Sequence, residues 1–288
     1  MIFTVNHTTF YQYSKNVFLE PHTLRLFPRS DPAQSILEHR LKINPEPAGM
    51  SKALDLWGNS YAQVWFNDLH HSLKIVSICR VKTQRQNPFD YFLPVNARTI
   101  PVQLSPLEKL DLKSCLQTLY PDHVDHLNEL QKLSRQFIED SRESVAEFLL
   151  NLNSWIFSEF QREERQAPGI IAPCTLLNSR TGSCRDLSVL FIEICRSAGI
   201  PARFVSGYQE GDPDLPQAEL HAWAEVYLPA IGWRGYDPTY GLAVADRHIA
   251  LAASPWPEQT MPVSGNIRGT GATSTMTHEV VMRSFDSN

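Results

Sequence analysis

The chain has 288 residues, more than the roughly 100–150 of a typical domain, so two domains are expected. Hydrophobic residues make up 42% and charged residues 20%, a mix that suits a folded globular protein and excludes a disordered one. The net charge of −5, with acidic and basic residues intermixed, offers no basic field for nucleic acid or anionic lipid, so neither is expected as a partner.

The opening "MIFTVNHTTFYQYSKNVFLE" alternates polar and apolar residues and lacks the charged start and apolar core of a signal peptide. No stretch approaches the roughly 18 uninterrupted apolar residues of a membrane span. A cytoplasmic protein is expected. Its five cysteines, Cys79, Cys115, Cys174, Cys184 and Cys195, are odd in number and contain no CxxC pair, which fits neither a disulfide framework nor a zinc ribbon.

Residues 1 to about 105 read as strands. "TVNHTTFYQY", "HTLRLFP", "QSILEHRLKI", "SKALDLW", "YAQVWF" and "SLKIVSICRVKT" show period-two alternation or enrichment in β-branched and aromatic residues. Gly58-Asn59 is the turn of a hairpin. This pattern predicts a β-sandwich-like N-terminal domain. Four prolines in "NPFDYFLPVNARTIPVQLSP" mark a linker. Residues 106–288 then form the second unit. Segments 106–120, 122–140 and 144–161 carry apolar residues three and four apart and read as amphipathic helices, the last with Ser144 and Glu147 as a capping box. A loop over "QAPGIIAPCTLLNSR" leads to a helix from Cys184 to Ser197, ended by Gly199 and Pro201. "ARFVSGY", "LHAWAEVYL", "GWRGYD", "DRHIALAA" and "MTHEVVMRS" are short strands. The class is α+β.

Cys184 follows Thr181, Gly182 and Ser183 at the start of its helix. There, unpaired backbone N–H groups and the helix dipole favour a thiolate, and the N–H of Cys184 could serve a developing oxyanion. Taken alone, such a cysteine reads as packing at a helix–loop junction, as Cys195 does in mid-helix. A nucleophilic reading requires a base and an orienting group. His221 is best placed for the first role. Strand alternation puts His221, Trp223, Glu225 and Tyr227 on one face and Ala222, Ala224, Val226 and Leu228 on the other. Asp237, sixteen residues on, closes the next strand of a hairpin that would bring its carboxylate to the ring, although alone it reads as an Asp-Pro turn.

"RTGSCRDLSVLFIEICRSAGIPARFVSGY" and "HAWAEVYLPAIGWRGYDPT" together resemble the transglutaminase-like superfamily, and the β-rich start resembles the N-terminal domain of its bacterial members. The resemblance covers residues 150–285 well and includes "DRHIALA". It implies a papain-like core with Cys184 as nucleophile, His221 as base and Asp237 as orienter. The order Cys, His, Asp fits. Bacterial relatives usually carry a glutamine, then Asp and an aromatic, after the cysteine; Arg185, Asp186 and Leu187 stand here instead. Arg185 either serves the thiolate or a substrate, or points to solvent. Trp223, Trp155 and Trp65 are the indoles available as a second oxyanion donor.

The expected function is amide hydrolysis by a peptidase or amidase through an acyl-enzyme, with no cofactor and no metal. The alternatives are a transamidase and a non-catalytic module whose N-terminal domain binds a protein partner. "PDHVDH" sets His123 and His126 beside Asp122 and Asp125, but no third distant ligand is indicated, so it reads as a solvated helix start. His70-His71 reads as a turn. "SGNIRGTGATS" lacks the lysine and the strand–helix setting of a phosphate loop.

Overall fold

A computed structural model describes residues 1–285 except 123, 166, 212–216 and 270, and the backbone alone of 124–126 and 217. Six strands come first: β1 (Ile2–Leu19), β2 (His22–Leu24), β3 (Gln34–Asn44), β4 (Gly49–Leu54), β5 (Ser60–Trp65) and β6 (Leu69–Thr83). Helices α1 (Pro106–Asp111), α2 (Lys113–Leu116), α3 (Val124–Asp140) and α4 (Val145–Glu159) follow, then β7 (Gln161–Arg162), α5 (Pro173–Ser179), β8 (Thr181–Gly182) and α6 (Cys184–Ser197). The remaining strands are β9 (Ala202–Gln209), β10 (Gln217–Leu228), β11 (Gly232–Asp237), β12 (Leu242–Ala243), β13 (His248–Ser254), β14 (Val263–Ser264), β15 (Ile267–Arg268) and β16 (Ser274–Phe285).

Alternation in β1 and β6 buries Phe3, Val5, Leu73, Ile75, Cys79 and Val81 on one face. That face packs over the small sheet ordered β14-β2-β5-β4, whose Leu24, Ala62 and Val64 fill the other side of the sandwich. The chain closes on itself. β16 pairs with β1 along Ile2↔Phe285 to Tyr13↔Ser274, and reaches β10 through Gln217↔Val281 and Ala218↔Val280. One antiparallel surface therefore runs from the N-terminal strands into the strands that carry His221. Tyr208, Ile249 and Leu251 of the later strands lie in the same core as the N-terminal ones.

The later strands are ordered β12-β11-β10-β9-β13. Ala222, Ala224, Val226, Leu228 and Tyr236 face α6, where Leu187, Leu190, Phe191 and Ile194 meet them. Phe191 stacks on Tyr236 at 5.6 Å between ring centroids. Fully burying such side chains contributes about 1.5–3 kcal/mol each, which fixes α6 against the sheet. Two amides of the N-terminal segment seal the edge of β13. The Gln34 side chain accepts from Ala250 N and donates to Ala250 O, and Asn59 does the same with Ala253. An open strand edge is thereby paired without a further strand.

The sequence reading differs in places. The stretch read as a loop before Cys184 contains α5, because Pro173 occupies a first-turn position where a missing N–H costs nothing. Cys174 is therefore buried in a helix rather than in a loop. The first amphipathic segment breaks at Leu112 into α1 and α2. His70 and His71 lie in β6 rather than in a turn. The side chains of His123 and His126 fall outside the described residues. No helix among the described residues is long and apolar enough to cross a membrane.

Candidate active site

α6 begins at Cys184 because Ser183 adopts an extended backbone and Asp186 reaches back to it. Asp186 Oδ2 accepts from the N–H of Ser183 at 2.8 Å and from its hydroxyl at 2.6 Å. Its other oxygen accepts from Ile171 N at 2.7 Å and Arg165 Nη2 at 2.9 Å. This fully buried carboxylate thus ties the preceding loop to the helix start and satisfies N–H groups that the first turn cannot. Gly182 is required here: a Cβ would lie 2.6 Å from Leu176 Cδ1 and 3.1 Å from Asp186 Cβ. Cys184 remains half-buried, with its N–H in the turn where no helix carbonyl can accept it.

His221 sits on β10 opposite Gly207 of β9. The β10–β11 register, Ala224↔Tyr236, carries Asp237 to the level of Trp223 on the next strand. His221 Nε2 lies 2.8 Å from Asp237 Oδ2, and both side chains are buried. Burial is the largest influence on Asp237 and would raise its pKa; the charges and hydrogen bonds of His221 and His248 overcome it and hold the carboxyl well below its usual range. An ionised carboxylate only accepts, so Nε2 of His221 carries a proton and Nδ1 is the nitrogen left for Cys184.

Burial likewise acts most strongly on His221 and would lower its pKa. The charge and hydrogen bond of Asp237, joined by those of Cys184, outweigh it and raise the pKa to about 10. Nδ1 is buried and forms no hydrogen bond of full geometry, so the thiol is a close neighbour of the ring rather than a well-aligned partner.

Arg185 is engaged by the preceding loop. Its guanidinium donates to the carbonyls of Arg165 at 3.0 Å and Ala167 at 2.7 Å, holding the same loop as Asp186. Trp223 packs beside His221, stacked on its ring at 6.4 Å with its indole nitrogen buried and unpaired. Trp155 packs against Phe137 and Phe160, and Trp65 covers Gly49. The Cys184 N–H is a donor that the helix start leaves without a helix partner.

Sequence reasoning missed three neighbours on the open side. Arg162 on β7 pairs in register with Gly182, two residues before Cys184. It donates to the Tyr240 hydroxyl at 2.7 Å and forms an ion pair with Glu219. Burial disfavours its charge, and Tyr240, Glu219 and Cys184 more than restore it. Tyr240 lies on the His221 ring at 5.4 Å. The fourth omission is His248 at the start of β13, whose Nε2 lies 3.0 Å from Asp237 Oδ2. The near atoms of His221, Asp237 and His248 lie within 4.8 Å of one another, so among the described residues this is the group that could hold a metal ion. The two imidazole N–H donors already occupy the shared oxygen.

The site is a half-buried thiol at a helix start, set beside a buried imidazole–carboxylate pair on an antiparallel sheet. Residues 131–238 match the transglutaminase-like superfamily, and residues 3–82 match the bacterial transglutaminase-like N-terminal region. The chain thus carries a transglutaminase-like core preceded by that bacterial N-terminal region. An uncharacterized protein of Mycobacterium tuberculosis is 28% identical over 264 residues, spanning 86% of this chain and 82% of its own. A protein-glutamine gamma-glutamyltransferase of Pseudomonas aeruginosa is 39% identical over 75 residues, which cover 24% of this chain and 11% of that protein. The crystal structure of a candidate cysteine protease from Cytophaga hutchinsonii superposes with a TM-score of 0.74 at 22% identity, covering 100% of this chain and 92% of its own, and so shares the fold.

Proposed function

We propose that the protein is a thiol-dependent hydrolase of peptide or other amide bonds that works through an acyl-enzyme on Cys184. The observation that carries this reading is the buried His221–Asp237 pair beside a thiol at a helix N-terminus. The Cys184 thiolate attacks the amide carbonyl, and the oxyanion forms against the Cys184 N–H. His221 gives its Nδ1 proton to the leaving amine, the C–N bond breaks, and the acyl group stays on sulfur. Water then attacks the thioester while Nδ1 takes its proton, and collapse of the intermediate expels the sulfur, releasing the acid and restoring the thiolate–imidazolium pair. Asp237 keeps the ring in the tautomer that presents Nδ1.

Transfer to an amine instead of water is the second reading, and the Pseudomonas match over 75 residues favours it. Water is the simpler acceptor, being present at any open site. A non-catalytic role is the weaker reading, since a buried His221–Asp237 pair beside a thiol has an evident chemical use. The odd, scattered cysteines support a reducing, cytoplasmic setting.

Incubation of the wild type and Cys184→Ala with a glutamine- and asparagine-containing peptide library, read by mass spectrometry, separates these readings. Hydrolysis gives new termini or deamidated side chains that disappear in Cys184→Ala. Joined peptides would establish transfer, and identical products from both proteins would overturn the assignment.

A further inference from the structure

We propose that His248 is a positioning residue of the site, a second donor that fixes the carboxylate on which His221 depends. This rests on the reading of Cys184, His221 and Asp237 as one catalytic unit. Asp237 Oδ2 is shared by His221 Nε2 at 2.8 Å and His248 Nε2 at 3.0 Å, while Oδ1 accepts from Thr239 N at 3.0 Å. Every one of these groups is buried. The carboxylate is thus held from three directions, and it cannot rotate about its terminal torsion without losing a donor.

The fold brings His248 there by curvature. In strand order β13 lies three places from β11, yet the sheet curls until the first residue of β13 reaches the last residue of β11. Trp223 fills the interior of the curl, stacked on His221 and edge-on to His248 at 5.2 Å. Gly207 makes room for it: a Cβ there would lie 2.5 Å from Trp223 Cη2 and 2.2 Å from the carbonyl oxygen of Ile249. Both imidazoles are therefore packed as well as hydrogen-bonded.

The chemistry gives this second donor a use. During turnover His221 passes its Nδ1 proton to the leaving group and becomes neutral, which removes the positive charge nearest Asp237. A buried carboxylate left with a neutral partner needs other hydrogen bonds to remain ionised. His248 supplies one that does not change as the His221 proton comes and goes, so the carboxylate holds its direction and the ring holds its tautomer.

The test compares alkylation of Cys184 by iodoacetamide at neutral pH, followed by peptide mapping, in the wild type, His248→Leu and His248→Gln. Gln places an amide N–H near the position of Nε2. The rate should fall about tenfold in His248→Leu, as expected for loss of a charge-assisted hydrogen bond, and stay within about twofold of wild type in His248→Gln. An unchanged rate in His248→Leu, or an equal fall in both variants, overturns the proposal. A wild-type rate no faster than that of a model thiol would instead defeat the reading of Cys184 as a nucleophile. If His248→Leu fails to fold, ¹⁵N-resolved spectra of wild-type histidine side chains decide: a proton on His248 Nε2 supports the proposal, and one on Nδ1 alone refutes it.

Discussion

Replacing Asp237 by Asn keeps the size of the side chain and removes its charge. The amide oxygen can still accept from Thr239 N, but the amide nitrogen then faces the Nε2 of both His221 and His248, where the carboxylate had accepted two bonds. His221 loses the charge and hydrogen bond that offset its burial, so its pKa should drop from about 10 to below the ordinary 6.5. That span corresponds to about 5 kcal/mol of preference for the imidazolium. In the wild type the folded state holds this proton more tightly than the unfolded state, so the contribution is complete below pH 6.5 and fades as pH rises through about 10. Asp237→Asn should abolish that alkaline decline. Histidine-resolved NMR titration, with denaturant unfolding at pH 7 and pH 9, measures both effects. A variant whose His221 still titrates near 10 would refute the assignment of Asp237 as the controlling group.

Two further outcomes are expected. Burial, aided by His278, holds His7 at about 4, below its ordinary 6.5, so its stabilising contribution is present above pH 6.5 and is lost as pH falls toward 4. Between pH 7 and pH 4 the wild type should lose about 3 kcal/mol more than His7→Gln in urea unfolding; parallel losses would contradict this. Gly207→Ala should lower stability by about 1–3 kcal/mol or more and slow alkylation of Cys184, because the new methyl group pushes Trp223 against His221. Unchanged melting and reactivity would show that the curl is not tightly packed.

Much of the site was legible in the sequence because it rests on local rules. Ser183 and Gly199 bound a helix with Cys184 at its mouth, and alternation along β10 put His221 opposite the alanines that meet α6. Asp237 followed from the hairpin. His248 was not legible, since its contact depends on sheet curvature, which period-two patterning does not encode. Arg162 was hidden for a similar reason: a two-residue parallel ladder joins it to Gly182, too short to leave a pattern. The tie between Asp186 and Ser183 carries a signal in the sequence, the Ser-x-x-Asp spacing of a capping box. In the N-terminal half, the strands were visible one by one. The return of β16 to β1 was not, because register between distant strands is fixed by packing across the sandwich.

The most direct test of Cys184 as an activated nucleophile is its second-order rate constant with iodoacetamide at neutral pH in the wild type and in His221→Ala. The wild-type rate should exceed that of a simple model thiol, and the variant should lose tenfold or more, about 1.4 kcal/mol or greater in barrier. Equal rates in the two proteins, or a wild-type rate no higher than the model thiol's, would contradict the reading of Cys184, His221 and Asp237 as one catalytic unit.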